Sequence, residues 1–213
     1  MRMAVPKGTH GPGPHGESDP TLARLGAWTA FASAILALVY AVGFVFLKSG
    51  NIYSPALFIG GLVNAVTLVA VYERVKVNGS GLVLLGLLLG FAGTLGATIH
   101  GAYDVANLFH QPATVTDATL PFQVDPRGLL TFGISGLGVL ALSWEALRNA
   151  ALPRNVGQLG VVLGVLLVVI YLGRLIVLDA NSLLILVPAG LGTIVSIAWY
   201  FLVGRELLRT ARA

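Results

Sequence analysis

Cysteine is absent from this chain of 213 residues, and charged side chains make up only 10% of it. Without cysteine the protein has no disulfide, no thiolate nucleophile and no cysteine-ligated metal. A soluble domain carries about 25% charged residues, so the shortage of charge excludes a water-soluble globule. The phosphate-binding loop GxxxxGK[ST] and the zinc motif HExxH are absent from the sequence as well.

Long apolar stretches are what the chain does contain. Hydrophobic residues make up 56% of it, and the mean hydropathy is +0.85. A helix needs about 20 apolar residues to cross about 30 Å of hydrocarbon, where lipid offers no partner to an unpaired peptide group. The sequence therefore predicts an all-α membrane protein. Its six-transmembrane-helix bundle occupies residues 21–208, with spans at about 22–47, 54–75, 81–103, 128–148, 156–178 and 183–204.

The ends of the chain are polar. Residues 1–20 are rich in glycine and proline and show no apolar periodicity, so they are predicted to form a disordered cytoplasmic tail. Residues 209–213 are predicted to form a second, short cytoplasmic tail.

Basic residues predict the orientation of the helices. If the N-terminus is cytoplasmic, ten lysines and arginines lie on cytoplasmic segments and three on outer segments, namely Lys48, Arg127 and Arg174. This positive-inside pattern predicts that both termini are cytoplasmic. The basic residues form no patch, so the net charge of +4 indicates membrane topology and not nucleic-acid binding. All three tryptophans are expected near the cytoplasmic headgroups: Trp28, Trp144 and Trp199.

Glycines suggest an internal repeat and mark the packing faces. Gly86 and Gly90 in the third helix recur as Gly160 and Gly164 in the fifth, 74 residues later. Helices two and three would then form a hairpin that helices four and five repeat, and such repeats often place a site at their interface. Because helices in lipid associate through small residues, these glycines are expected to face neighbouring helices.

Polar residues on the third helix point to a candidate site. His100, Asp104 and Asn107 lie within about 60° of one another, on the side of Gly93 and Gly96. They therefore face other helices, and ionisable groups at membrane depth are candidates for function. Further residues at a similar depth complete the candidate ligand-binding set: Tyr103, Tyr171, Arg174 and Asp179.

Several kinds of chemistry are open to this set. His100 and Asp104, at i and i+4, could relay a proton or supply two metal ligands, which is fewer than a stable zinc site needs. Arg174 could bind an anionic group bidentately. In the structural alternative, Asp104 and Arg174 form an ion pair and His100 is a hydrogen-bonded packing residue. The sequence leaves metal binding open and shows no sign of a cofactor.

The one long connection, residues 105–127, lies on the same outer side as this candidate site. Long loops are often functional lids, and a lid over His100 would suit its position. A polar loop without such a role fits its composition equally well.

The stretches LPRNVGQLGVVLGVLLVV (152–169) and AWYFLVGRELLR (198–209) resemble those of small bacterial six-helix membrane proteins, from families of unknown function. The resemblance covers about the last third of the chain. It implies a protein of the bacterial cytoplasmic membrane and assigns no site residues.

Two classes of function follow from the sequence. The first is a protein that binds or transports a small solute, an ion or a lipid headgroup in an outward-facing polar pocket. The alternative is an accessory or structural membrane protein whose polar cluster only fixes helix packing. An intramembrane enzyme ranks third, because no nucleophile or complete metal site is evident. Membrane lipid is the expected partner, and a homo-oligomer is left open.

Overall fold

The computed structural model of this protein describes residues 20–78, 80–110, 127–177 and 182–212, and this part of the chain consists of helices without a strand. There are six long helices in it. Their bounds are α1 Pro20–Ala41, α2 Gly50–Val75, α3 Gly81–Phe109, α4 Ser135–Arg148, α5 Arg154–Ile176 and α6 Leu183–Thr210. Two π-helical segments extend them: Val42–Phe46 continues α1, and Leu129–Ile134 precedes α4.

All six helices, with the π-helical segments counted as parts of α1 and α4, are long and apolar enough to cross a membrane, as the sequence predicted. Large apolar side chains stand exposed on their outer faces, for example Ile35 at 63%, Leu88 at 59% and Ile194 at 66%. Water would penalise so much exposed apolar surface, whereas lipid tails would not. The helices are therefore those of an integral membrane protein with lipid-facing sides.

Helix boundaries differ from the predicted spans at three informative places. α6 continues to Thr210, six residues past its predicted end and into the predicted short tail at 209–213. α3 continues to Phe109, six residues past the predicted end, because no proline or glycine interrupts residues 102–109. The predicted loop at 105–127 is shorter as a result. α2 begins at Gly50, with Ser49 at its N-cap, so Pro55 lies inside the helix. The predicted tail lies outside the described residues, except for Pro20.

The helices pack as a closed ring. α1 lies against α2 and α6, α3 against α2 and α4, and α5 against α4 and α6. Glycines permit the close approaches: a Cβ on Gly93 would overlap Ser135, and a Cβ on Gly164 would meet Gly136 and Leu140. The glycines of α3 and α5 thus face neighbouring helices, which confirms the packing faces expected from the sequence.

The ring has two different ends. Pro20 and Thr210 lie at one end, which we call the terminal end, and the opposite end we call the distal end. The main apolar core lies toward the terminal end and includes Leu68, Leu142 and Trp199. Trp199 is 1% exposed, so the expectation that it sits among lipid headgroups is wrong. Its indole packs between α4 and α5, beside Ser143 and Gly160.

A buried acid, Glu145, links two helices at the terminal end. The Glu145 side chain, 2% exposed, accepts hydrogen bonds from the Ser80 amide at 3.2 Å and from the Arg148 guanidinium at 3.1 Å. Asn149 donates a third hydrogen bond at 3.4 Å. Glu145 thereby ties the end of α4 to the start of α3, where a carboxylate also interacts favourably with the helix dipole.

Candidate functional site

Asp104, on the distal part of α3, is the centre of a polar network. Its carboxylate is 19% exposed and contacts two basic side chains. The Arg127 guanidinium lies 3.0 Å from Oδ1, and Nε2 of His100 lies 3.6 Å from Oδ2. The first distance is that of a charge-assisted hydrogen bond, while the second is too long for one. In this arrangement Asp104 is bonded to Arg127, and His100 stands beside the carboxylate as a second basic group.

His100 bridges α3 and the segment before α4. Its Nδ1 lies 3.4 Å from Oγ1 of Thr131, whereas Nε2 faces Asp104 one helical turn away. The imidazole is 16% exposed, so it lies largely among neighbouring side chains. An imidazole between a hydroxyl and a carboxylate can hold a proton on either nitrogen, which suits it to proton transfer.

Arg127 is a partner of Asp104 that the sequence reasoning missed. Its guanidinium carbon lies 4.5 Å from the centre of the Tyr103 ring, so the cation rests on the aromatic face while it bonds to the carboxylate. The ion pair between Asp104 and Arg174, expected in the structural alternative, is not formed. A signal was present in the sequence: Arg127 is the first basic residue after the long connection that begins at the end of α3.

A π-helical segment carries the threonine that lies beside His100. Leu129–Ile134 has the wide π-helical hydrogen-bond pattern, and single π-helical turns often occur at functional sites. Thr131 and Gly133 are buried in this segment. The Tyr171 ring packs closely against Gly133. A Cβ added to this glycine would lie only 3.0 Å from the ring. Tyr171 therefore packs against the segment that carries Thr131.

Aromatic residues of α1 and α2 border the network on its other side. Tyr40 is close enough to Asp104 and Tyr53 for electrostatic interaction with both. Tyr40 stacks on Phe44 with ring centres 5.6 Å apart, and Tyr53 meets Phe44 edge-on at 5.3 Å. Phe44 belongs to the other π-helical segment, Val42–Phe46. Both π-helical segments therefore lie at the distal end. These aromatic residues are not among the candidates predicted from the sequence.

The remaining predicted residues are only partly connected to the network. Asn107 and Arg174 are both partly buried, and within the described residues neither makes a side-chain hydrogen bond or ion pair. Asp179 lies outside the described residues, as does most of the predicted lid. The structure thus joins His100, Tyr103 and Asp104 of the predicted set and adds Arg127 and Thr131.

Metal binding finds no ready cluster in the parts of the chain that are described. No group of three His, Asp or Glu side chains is close enough together there to hold an ion. Several buried polar atoms do lack a hydrogen-bond partner: Ser33 Oγ, Ser54 Oγ, Asn64 Oδ1 and Trp199 Nε1. Such groups are costly to bury unpaired, and internal water is their usual partner.

Comparison with protein-family models, with curated proteins and with solved structures finds no match to this chain.

Proposed function

We propose that this protein binds or transports a small solute, an ion or a lipid headgroup, and that the network around Asp104 is its binding centre. The supporting observation is that one partly buried carboxylate lies next to two basic groups, Arg127 at 3.0 Å and His100 at 3.6 Å. The second basic group makes an exchange of partners available.

The exchange has a simple electrostatic basis. A cationic ligand would compete with Arg127 for the Asp104 carboxylate, and an anionic ligand would compete with Asp104 for Arg127. Protonation of His100 would bias either competition, because it adds a positive charge beside the ion pair. Ligand binding is therefore proposed to depend on pH.

Orientation and repetition belong to the same proposal. Both termini are proposed to be cytoplasmic, in a bacterial cytoplasmic membrane, so the distal network opens outward. The glycine repeat is proposed to relate the α2–α3 hairpin to the α4–α5 hairpin. Support comes from Gly90 and Gly164, which both occupy close helix contacts, Gly90 against Leu68 of α2 and Gly164 against Gly136 of α4.

A structural role is the second candidate, and one observation favours it. The Asp104–Arg127 pair is already complete, with Tyr103 stacked on the guanidinium. A closed pair of this kind can hold α3 against the segment before α4 without any ligand. An intramembrane enzyme with His100 and Asp104 as an acid–base pair remains the third candidate.

Native mass spectrometry of the gently extracted protein separates the first two candidates. We expect a small-molecule adduct on the wild type that is lost in Asp104→Asn and Arg127→Gln. Lys48→Gln is the matched control, because it removes an exposed distal cation outside the network and should retain the adduct. Arg174→Gln would show whether the site extends to α5.

The structural candidate predicts a different result. Bare protein in every sample, with Asp104→Asn and Arg127→Gln merely less stable, would refute the binding proposal. The charge exchange Asp104→Arg with Arg127→Asp sharpens the test. It should recover stability if the pair only packs, but it should not restore the adduct if the groups contact a ligand.

A further inference from the structure

A groove at the terminal end is lined by groups that suit a charged lipid. It lies between the end of α4 and the start of α5 and has a volume of about 530 Å³. Arg148, Arg154 and Gln158 supply its hydrogen-bond donors, and in the part of the chain that the structure describes no acidic residue lines it. Its remaining walls are apolar and include Trp144, Leu147 and Leu152.

The two arginines are available for an anion. The Arg148 side chain is 61% exposed and is bonded to Glu145 through one terminal nitrogen, which leaves other donors of its guanidinium open. Arg154 is exposed, and no carboxylate within the described residues pairs with it. Two guanidinium groups facing one groove match the geometry of a phosphate.

Apolar stripes lead from this groove toward the middle of the helices. On α4, Trp144 and Leu137 are 50% and 43% exposed and lie two turns apart on one face. On α5, Val162, Val165 and Val169 are 41–46% exposed and continue the face of Gln158. A basic groove at the end of two exposed apolar stripes has the shape of a phospholipid, with its headgroup above its acyl chains.

We infer that this groove is a binding site for an anionic phospholipid. Its phosphate lies between Arg148 and Arg154, Gln158 donates to the headgroup, and the chains lie along α4 and α5. The indole of Trp144 stands at headgroup depth, where tryptophan is enriched in membrane proteins. With the proposed orientation, the lipid belongs to the cytoplasmic leaflet. The inference depends on membrane insertion and not on the distal network, from which the groove is separate.

The test is a titration of purified, delipidated protein with phosphatidylglycerol, followed by native mass spectrometry, with phosphatidylcholine as the neutral comparison. A basic residue near an anionic headgroup is worth about 5-fold in affinity. Arg154→Gln should therefore bind phosphatidylglycerol about 5-fold more weakly, and Arg148→Gln with Arg154→Gln about 25-fold more weakly. Phosphatidylcholine should bind weakly to all forms.

A matched control exists at the same end of the bundle. Arg205 and Arg209 are 60% and 81% exposed and contact Glu206, outside the groove. Arg205→Gln with Arg209→Gln removes the same charge and should keep the wild-type affinity for phosphatidylglycerol. The single variant Arg154→Gln is expected to fold normally, because it leaves the Arg148–Glu145 ion pair intact. A loss of lipid binding in this variant therefore cannot be attributed to misfolding.

Three results would overturn the inference. One is equal binding of phosphatidylglycerol by the wild type and by both groove variants. Another is equal loss in the control variant, which would indicate a general effect of surface charge. The third is displacement of the lipid by millimolar inorganic phosphate with no contribution from the chains, which would identify a free-phosphate site.

Discussion

The two halves of the bundle differ in how their buried acidic side chains are hydrogen-bonded. At the terminal end the Glu145 carboxylate, 2% exposed, accepts hydrogen bonds from three donors, and no other basic side chain pairs with it among the described residues. At the distal end Asp104, 19% exposed, has one bonded cation and a second basic group 3.6 Å away. Glu145 is thus hydrogen-bonded to all three of these donors, whereas Asp104 is bonded to one basic group and lies near another.

Packing differs in the same direction. The terminal half contains the main core, with Leu68, Leu142 and Trp199 almost completely buried. The distal half contains both π-helical segments, in which the regular hydrogen-bond ladder is interrupted. A rigid half next to a less regular half is the arrangement expected when one part supports and the other binds. The contrast can be tested one feature at a time.

The largest effect is expected from Glu145→Ala. The substitution removes a buried carboxylate that accepts hydrogen bonds from the Ser80 amide, Arg148 and Asn149, and the loss of these three bonds should lower the free energy of unfolding by about 3 kcal/mol. Chemical denaturation in detergent would measure it. Glu73→Ala is the comparison, because Glu73 pairs with Lys76 near the surface and its loss should cost less than about 1 kcal/mol. Equal losses would remove the distinction between buried and exposed acids.

Glycine contacts come next. A Cβ at Gly138 would overlap the backbone of Gly90, so Gly138→Ala should force α3 and α4 apart and cost about 2 kcal/mol. Gly190→Ala is the matched control: nothing lies near its Cβ, and alanine favours a helix. We expect it to be neutral or slightly stabilising. Unfolding of both variants in detergent checks the pair, and a neutral Gly138→Ala would contradict the close approach.

A smaller effect is expected from the distal ion pair. In a double-mutant cycle of Asp104→Asn and Arg127→Gln, the coupling free energy should be about 1 kcal/mol, because both side chains are partly exposed. The adduct, in contrast, should be lost completely in each single variant. A coupling as large as the Glu145 effect would make the distal network a stability element and weaken the contrast between the halves.

The smallest effects concern two tight turns. Ala150, between α4 and α5, and Lys48, between α1 and α2, have φ values of 48° and 47°, a conformation that favours glycine. Ala150→Gly and Lys48→Gly should each stabilise the protein by up to about 1 kcal/mol. Thermal unfolding of the two variants would compare the turns at opposite ends. If either variant is less stable than the wild type, the contacts of the removed side chain stabilise the protein more than the backbone strain destabilises it.

Much of the fold was predictable from local pattern. The number of helices and most of their bounds follow from apolar length, because the bilayer thickness leaves few alternatives for a chain with 10% charge. The inward faces of α3 and α5 followed from their glycines. The burial of Trp199 was not predictable, because an indole near a helix end suits both a headgroup region and a core.

Only the part of the candidate site that lies on α3 was predictable from the sequence. His100, Tyr103 and Asp104 lie on one helix, where a spacing of three or four residues places side chains on one face. Arg127 and Thr131 lie 23 and 31 residues further along the chain than their partners. No local spacing connects residues across a long connection, so the structural alternative paired Asp104 with Arg174 and not with Arg127.

By itself, the sequence determined six membrane-spanning helices and the acid and base on α3, because length, hydropathy and helical periodicity are local properties. Only the tertiary structure decided that Arg127 neutralises Asp104, that Glu145 is buried between helices, and that Arg148 and Arg154 share a groove. These pairings depend on how the ring of helices closes, and closure is a property of the whole set of helix contacts.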